Sequence, residues 1–449
     1  MATNAAQSQN AKPLRIAIAG LGTVGVGVIR LLATNHDLIA ARAGRAIEVV
    51  AVSARERGKD RGVDIASYAW EDDMTALAAR DDVDVVVELV GGSDGPALAL
   101  SRAALGKGTG LVTANKAMIA HHGLELAEMA EEAAAPLKFE AAVAGGIPVV
   151  KGLREGTSAN ALTKVYGILN GTCNYILSAM EATGADFAET LAEAQGLGYA
   201  EADPTFDIEG IDAAHKLAIL AAIGFGAKVD FAAVSTTGIV QVRAADIAQA
   251  DALGFVIRLI AEADVKDEGG VPKLLQRVRP CLVAKDHPLA NVDGPTNAVV
   301  AEGNFSGRLL FQGAGAGDGP TASAVVADLI DIARGFGKSG EVGAPFSMPV
   351  AQLQAFGAAE PGHRMERTYL RFTVNDRPGV LAEITAAMRD ADVSIESLIQ
   401  QGRANEGGEV LVAMVTHEGP EANVRRALEL LDGSDSLTGE PLVLPILPN

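Results

Sequence analysis

Asp212 and Lys216 stand four residues apart in the run 211–222, Ile-Asp-Ala-Ala-His-Lys-Leu-Ala-Ile-Leu-Ala-Ala, which is apolar nearly all round. Residues at i and i+4 of a helix share a face, so this carboxylate and this ammonium project together and can touch one small ligand. On a solvated helix the pair would be an ordinary surface ion pair, worth little. A helix apolar on every side is buried, however, and a buried lysine needs a partner or a task. It can offer charge and a proton to an oxygen that becomes negative during reaction. Just upstream, Gly198-Tyr199-Ala200-Glu201-Ala202-Asp203-Pro204 and Asp207 add carboxylates, and a second lysine, Lys116, follows the short apolar run Gly110-Leu111-Val112-Thr113. Lys116 is expected as a strand-end residue at the carboxyl edge of a parallel sheet, where such folds hold ligands.

The elements that must position these groups begin with an apolar strand over residues 14–19, then Gly20-Leu21-Gly22-Thr23-Val24-Gly25, then a helix through Leu32. A G-x-G-x-x-G turn between strand and helix is a dinucleotide-binding pattern: Gly20 makes the turn, Gly22 admits the pyrophosphate and Gly25 lets the helix pack on the strand. Thr23 and Val24 open that helix, whose amino end attracts the anion. Residues 48–52 and 83–90 read as further buried strands, and residues 73–80, 95–106 and 121–134 as helices, which predicts an α/β fold with a Rossmann-type doubly wound parallel sheet. Gly92, Ser93 and Thr113 are expected at its cofactor edge. After the second strand the chain offers Ser53-Ala54-Arg55, with Lys59 nearby, in place of the acidic residue usual for NAD. Ser53 and Arg55 suit a 2′-phosphate, so NADP is favoured and NAD allowed.

With 449 residues the chain exceeds one hydrophobic core, and two or three domains are expected. A formal net charge of −20 opposes nucleic acid and anionic membranes. The two cysteines, Cys173 and Cys281, have neither CxxC nor zinc-ligand spacing, which fits a reducing cytoplasm. Residues 1–13 are polar, without the apolar core of a signal peptide, and no apolar run reaches the length of a membrane span. A soluble, unprocessed cytoplasmic protein is the expectation.

Taken in order, Thr113-Ala-Asn-Lys116, Glu140-Ala-Ala-Val-Ala-Gly-Gly-Ile-Pro148, Asn170-Gly-Thr-Cys-Asn-Tyr-Ile176, Gly198-Tyr-Ala-Glu-Ala-Asp-Pro204, the Asp212 to Lys216 helix and Gly313-Ala-Gly-Ala-Gly-Asp-Gly-Pro-Thr-Ala-Ser323 resemble homoserine dehydrogenase over about residues 14–340. The resemblance implies reversible, NAD(P)H-dependent reduction of L-aspartate 4-semialdehyde to L-homoserine, on the route to threonine, methionine and isoleucine. It implies Lys216 as proton donor and Lys116 as a second essential lysine. Glu201 and Asp212 become partners of the substrate ammonium, with Asp207 beside them and Gly171 and Thr172 at a turn closing over the substrate. Gly198, Gly315 and Gly317 join the cofactor site. A monovalent cation, Na⁺, is implied on the Glu140 side chain and the carbonyls of Val143, Gly145 and Ile147.

On this reading residues 1–139, completed by about 313–340, bind the dinucleotide, and residues 140–312 form an α/β domain for substrate and dimerisation. The Gly-, Pro-, Ala- and Ser-rich stretch 341–365 reads as a linker. Residues 366–449 follow β-α-β-β-α-β, the ferredoxin-like order, with strands at 368–374, 393–402, 409–416 and 441–447. That module resembles an ACT domain, which implies an amino-acid effector, L-threonine, at Asn375, Asp376 and Gly379, and a homodimer or homotetramer. Two other readings stay open. A Rossmann reductase for a dipeptide-like or sugar-phosphate substrate would call for a phosphate-binding Arg/Lys set outside the cofactor pocket. A dinucleotide-sensing regulator would have no use for two lysines.

Overall fold

The computed structural model describes residues 11–335, 343–401 and 409–448. The extreme N-terminus, the 340/341 boundary and the end of the strand expected to reach Gly402 lie outside these residues. Six parallel strands form the first sheet: β1 (Leu14–Ala19), β2 (Ile47–Ser53), β3 (Ala69–Trp70), β4 (Val85–Glu88), β5 (Gly110–Thr113) and β6 (Leu137–Lys138). Their order, β3-β2-β1-β4-β5-β6, reverses between β1 and β4, which opens a crevice at the carboxyl ends. The strands are largely apolar, charged residues such as Arg15, Glu48 and Lys138 apart, because both faces are mostly covered.

β4 is shorter than the expected 83–90. The Glu88 carboxylate turns back to accept the N–H groups of Val90 at 2.7 Å and Gly91 at 3.0 Å, which takes the chain out of the ladder. The third helix starts earlier than expected, spanning Lys116–Glu132, because Asn115 caps it by accepting the Met118 N–H at 3.0 Å. Lys116 is therefore the first residue of a helix rather than the last of a strand.

A second, mixed sheet is built on β7 (Leu162–Ile168), the short β8 (Ser235–Thr236), the hairpin of two 14-residue strands β9 (Phe255–Glu268) and β10 (Val271–Ala284), and the hairpin β11 (Thr296–Gly303) and β12 (Gly307–Ala314). The helix Ile211–Phe225 lies on it, buried over nearly its whole length. From β12 the chain returns as the helix Asp318–Gly335, which packs in one apolar cluster with β1 and the helix Thr23–Thr34. Gly27 makes that crossing possible, since a Cβ there would stand 2.9 Å from the Asp318 carbonyl oxygen.

The described part of the stretch read as a linker, from residue 343 on, is packed rather than free. Phe346 is buried against Phe139 with ring centroids 5.5 Å apart, Arg154 donates to the Pro345 carbonyl at 3.0 Å, and Gly357–Ala358 pairs with β10. Glycine and proline here serve turns between buried apolar anchors.

The C-terminal sheet runs Ile395–Gln401, Glu409–Thr416, Thr368–Asn375, Leu442–Pro445, all antiparallel, with two helices on one face. This is the ferredoxin-like order of an ACT module. Its other face is covered too: Tyr369, Ala413, Val415 and Leu444 join the main core beside the helix Ala244–Ala252.

Candidate active site

The two lysines meet on one carboxylate. Lys116 Nζ lies 3.0 Å from Asp212 Oδ1 and Lys216 Nζ 2.7 Å from Asp212 Oδ2, while Lys216 also donates to the Leu169 carbonyl at 2.7 Å. Asp212 and Lys216 come from the buried helix at the expected i, i+4 spacing, and Lys116 arrives from the amino end of another helix. Asn115, which sets that end, also donates to the Gly92 carbonyl at 2.7 Å, so the lysine is aimed from the sheet edge.

Burial raises Asp212, but the two lysines and Asn170 outweigh it and hold the carboxyl well below its ordinary range. Burial also opposes the charge on Lys116; Asp212 wins there and keeps this lysine protonated above its usual value. In Lys216 the balance reverses. Its burial, together with the nearby Lys116 charge, lowers its affinity for the proton despite Asp212. One lysine is a standing positive charge and the other a readier acid.

Asn170 ties the acids together. It caps the helix Gly171–Thr183 through its Oδ1 and donates from Nδ2 to Asp207 at 2.7 Å and Asp212 at 2.9 Å. Asn297 donates to the same Leu169 carbonyl that holds Lys216, at 2.8 Å. Asn170 begins the turn expected to close over the site, without a role of its own, and Asn297 was not expected there. Asn170 was visible as a helix-capping type before Gly171-Thr172, whereas Asn297 is brought in by the β11 register alone.

These groups line a cavity of about 1040 Å³ between the two sheets, together with Val24, Gly145, Gly171, Thr172, Asp207, Gly198, Gly315 and Gly317. Gly315 is required by packing: a Cβ there would lie 2.2 Å from the Asn297 side chain, and one on Gly145 would lie 2.6 Å from the Gly315 carbonyl oxygen. Gly171 and Thr172 begin a helix rather than forming a free turn, and Thr172 donates to the Tyr199 carbonyl at 2.7 Å.

Glu201 is not brought in. It is exposed, and it is absent from the cavity wall. Asp212 is occupied by the two lysines and Asn170, while Asp207, half buried and raised by burial and by Asp212, contacts neither lysine directly. Thr113 is fully buried and its hydroxyl donates to Glu88 at 2.6 Å, which makes it a brace of the sheet edge. Ser93 donates to Asp94 at 2.6 Å.

The glycine loop fits a dinucleotide. Gly20 adopts φ +98°, where a Cβ would meet the Leu89 carbonyl oxygen at 2.6 Å, and a Cβ on Gly25 would meet the Gly20 carbonyl oxygen at 2.0 Å. Gly22 faces open space, and the helix Thr23–Thr34 has no side-chain cap and no acidic residue in its first turn, so its N–H groups are left for an anion. Ser53 ends β2 with its carbonyl bound to the Gly20 N–H at 2.9 Å, and Arg55 is exposed beyond it. Arg61, unremarked in the sequence, bridges that basic loop to the glycine loop by donating to the Leu21 carbonyl at 3.2 Å and the Lys59 carbonyl at 2.8 Å.

Glu140 is buried, accepts the N–H groups of Val150 at 3.0 Å and Lys151 at 2.9 Å, and is pushed up to about 7 by burial and the neighbouring Asp328. The donor chemistry fits a hard cation. Val143 and Ile147 are buried in the same loop, which turns at Ala144 with φ +55°.

Comparison with known proteins agrees with this geometry. The sequence model of homoserine dehydrogenase matches residues 148–330, that of its NAD-binding domain residues 20–140, and that of the ACT domain residues 368–432. The chain is 42% identical over 437 residues to a homoserine dehydrogenase of Pseudomonas aeruginosa, covering 95% of this chain and 97% of that one. A crystal structure of a homoserine dehydrogenase from Thiobacillus denitrificans superposes with a TM-score of 0.90 at 40% identity, covering 97% of this chain and 98% of that one. A hyperthermophilic archaeal homoserine dehydrogenase in complex with NADPH gives a TM-score of 0.60 at 26% identity, covering 71% and 97%. A dinucleotide loop opening beside two lysines on one carboxylate, a buried sheet behind them and near full-length relatives together show that the chain belongs to the homoserine dehydrogenases, NAD(P)-dependent oxidoreductases, here with an ACT domain.

Proposed function

We propose that this chain interconverts L-aspartate 4-semialdehyde and L-homoserine, using NADPH in the reducing direction. The observation that carries the reading is Asp212 bridging Lys116 and Lys216. A dinucleotide whose pyrophosphate is held by the glycine loop would supply the hydride in reduction and accept it in oxidation. In reduction Lys216, whose charge is disfavoured by burial, gives its proton to the carbonyl oxygen, and Lys116 keeps a positive charge beside that oxygen. Asp212 holds both ammonium groups in place. Asp207 offers a carboxylate to the substrate ammonium, and the Glu201 assignment requires its exposed segment to fold inward on the substrate.

The 2′-phosphate of NADP would be met by Arg55 and Ser53, a preference supported by the basic loop and by the archaeal relative solved with NADPH. A Na⁺ ion held by Glu140 and the carbonyls of Val143, Gly145 and Ile147 would offset the two buried carboxylates, Glu140 and Asp328, and brace the loop beside the cavity. The ACT domain matched at residues 368–432 supports an amino-acid effector, for which threonine is our reading. On that reading the enzyme serves the route to threonine, methionine and isoleucine, in the cytoplasm, as a homodimer or homotetramer. The deciding assay follows NADPH oxidation with aspartate semialdehyde and NADP reduction with homoserine. Turnover confined to another aldehyde would defeat the substrate assignment.

A further inference from the structure

His215 immediately precedes Lys216 and is only 4% exposed, yet the chemistry above makes no use of it. Its Nδ1 is buried with no hydrogen-bond partner, and its Nε2 lies 3.3 Å from Nε2 of His121. Burying an imidazole with one nitrogen unsatisfied costs free energy that an apolar side chain would not cost. Something must offset it. His121 sits on the helix that begins with Lys116, and His215 on the helix that carries Asp212 and Lys216. Phe231 fills the angle between the two imidazoles, its centroid 4.3 Å from that of His215 and 4.9 Å from that of His121. Phe206 lies 5.5 Å from the His215 ring and 6.0 Å from Lys116 Nζ.

We propose that the His121–His215 hydrogen bond, packed by Phe231, locks the two lysine-bearing helices at the separation that lets Lys116 and Lys216 share Asp212, so that His121 and His215 are positioning residues for proton transfer. The inference rests on the assignment of the two lysines as the reacting groups. Burial, with His121 beside it, pushes His215 down to about 4, so His215 is neutral at neutral pH. The charged groups facing it are Asp212, Lys116 and Lys216. A neutral His215 adds no charge beside the lysines it helps to space. A small misplacement of reacting groups is enough to cost one to two orders of magnitude in rate.

The test uses the full-length enzyme and the variants His215→Phe, His121→Phe, their double and His215→Gln. Each single Phe variant is expected to lower kcat by about tenfold, with KM for NADP changed by less than about twofold since the nucleotide loop lies elsewhere. The double variant should be no slower than either single, because both remove the same contact. His215→Gln, which keeps a hydrogen-bonding group, should recover most of kcat. His121 is exposed, so its variant should fold even if His215→Phe does not. Unchanged kcat in His121→Phe, or a rise in KM for every ligand with lowered Tm and no loss of kcat, would overturn the proposal. If Lys116→Ala and Lys216→Ala stay active, the lysine assignment has failed, and the clasp fails with it.

Discussion

At the scale of single residues, the proposed chemistry divides labour between two lysines that differ in surroundings rather than in kind. Lys216→Ala and Lys116→Ala should each lower kcat by about a hundredfold or more, with circular dichroism and NADP binding unchanged; near wild-type kcat in either would refute its role. Asp212→Asn removes the shared counter-charge, and with two ammonium groups left facing each other the loss should match that of a lysine variant. Asp207→Asn should act differently, raising KM for homoserine at least about tenfold while KM for NADP holds, because it deletes a charge partner of the substrate ammonium. An equal rise for both ligands would remove Asp207 from the substrate site. Asp212, Lys216 and the buried character of their helix were legible because i, i+4 spacing and an all-round apolar pattern are local properties. Which acid orients and which is left for substrate was not legible, since that depends on Asn170 and on Lys116 arriving from another helix.

At the scale of elements, the glycines of the nucleotide loop make separable predictions. A Cβ at Gly22 meets nothing within 4 Å, so Gly22→Ala should keep Tm and raise KM for the cofactor, the new methyl standing where the pyrophosphate approaches. A Cβ at Gly25 collides with the Gly20 carbonyl, so Gly25→Ala should lower both Tm and cofactor binding. Equal melting temperatures for the two variants would contradict the assigned duties. A second element-scale device is the ionic joint midway along the β9–β10 hairpin, where the buried Glu262 meets Lys164 at 2.7 Å and the Arg364 guanidinium. Despite burial, these cations lower Glu262 from 4.5 to about 2. A carboxyl depressed in the folded state lends its stability above the unfolded value and loses it as pH falls through the folded one. Stability should therefore decline between about 4.5 and 2, a part of the decline absent from Glu262→Gln, as denaturation at graded pH would show.

At the scale of the whole molecule, the ACT module is built into the catalytic part rather than tethered to it. Tyr369 and Arg371, on its first strand, hold the buried Asp246 at 3.1 and 2.9 Å, and Arg371 also donates to the Gln241 carbonyl at 3.0 Å. The same loop reaches the cavity, as the Ile239 N–H binds the carbonyl of Ile208, next to Asp207, at 2.9 Å. Removing the chain from Glu366 onwards would strip this shared core, so the truncated enzyme should lose stability as well as any effector response. The cleaner test keeps the chain whole. If threonine acts through the module, Arg371→Met should keep basal kcat and lose threonine sensitivity; an unchanged inhibition curve would sever this route. The loop expected to face the effector is present at the first strand-to-helix turn, with Gly379 at φ +99° and Asp376 half buried. Asn375 there already donates to the Asp435 carbonyl at 3.0 Å, so its substitution would disturb a turn as well as a contact.

By itself the sequence determined what short-range physics controls: the strand–glycine–helix turn, the buried lysine helix, the ferredoxin-like order of the last module, and the family motifs that order them. Tertiary structure decided what is shared between distant segments. It made Lys116 a helix residue through the Asn115 cap, left Glu201 outside the cavity, packed the stretch from residue 343 into the core, and set Asn297 beside Gly315 through strand register. It also brought His121 to His215, which lie 94 residues apart. Capping, burial and charge compensation depend on which groups meet, and residues far apart in the chain meet only once the fold has closed.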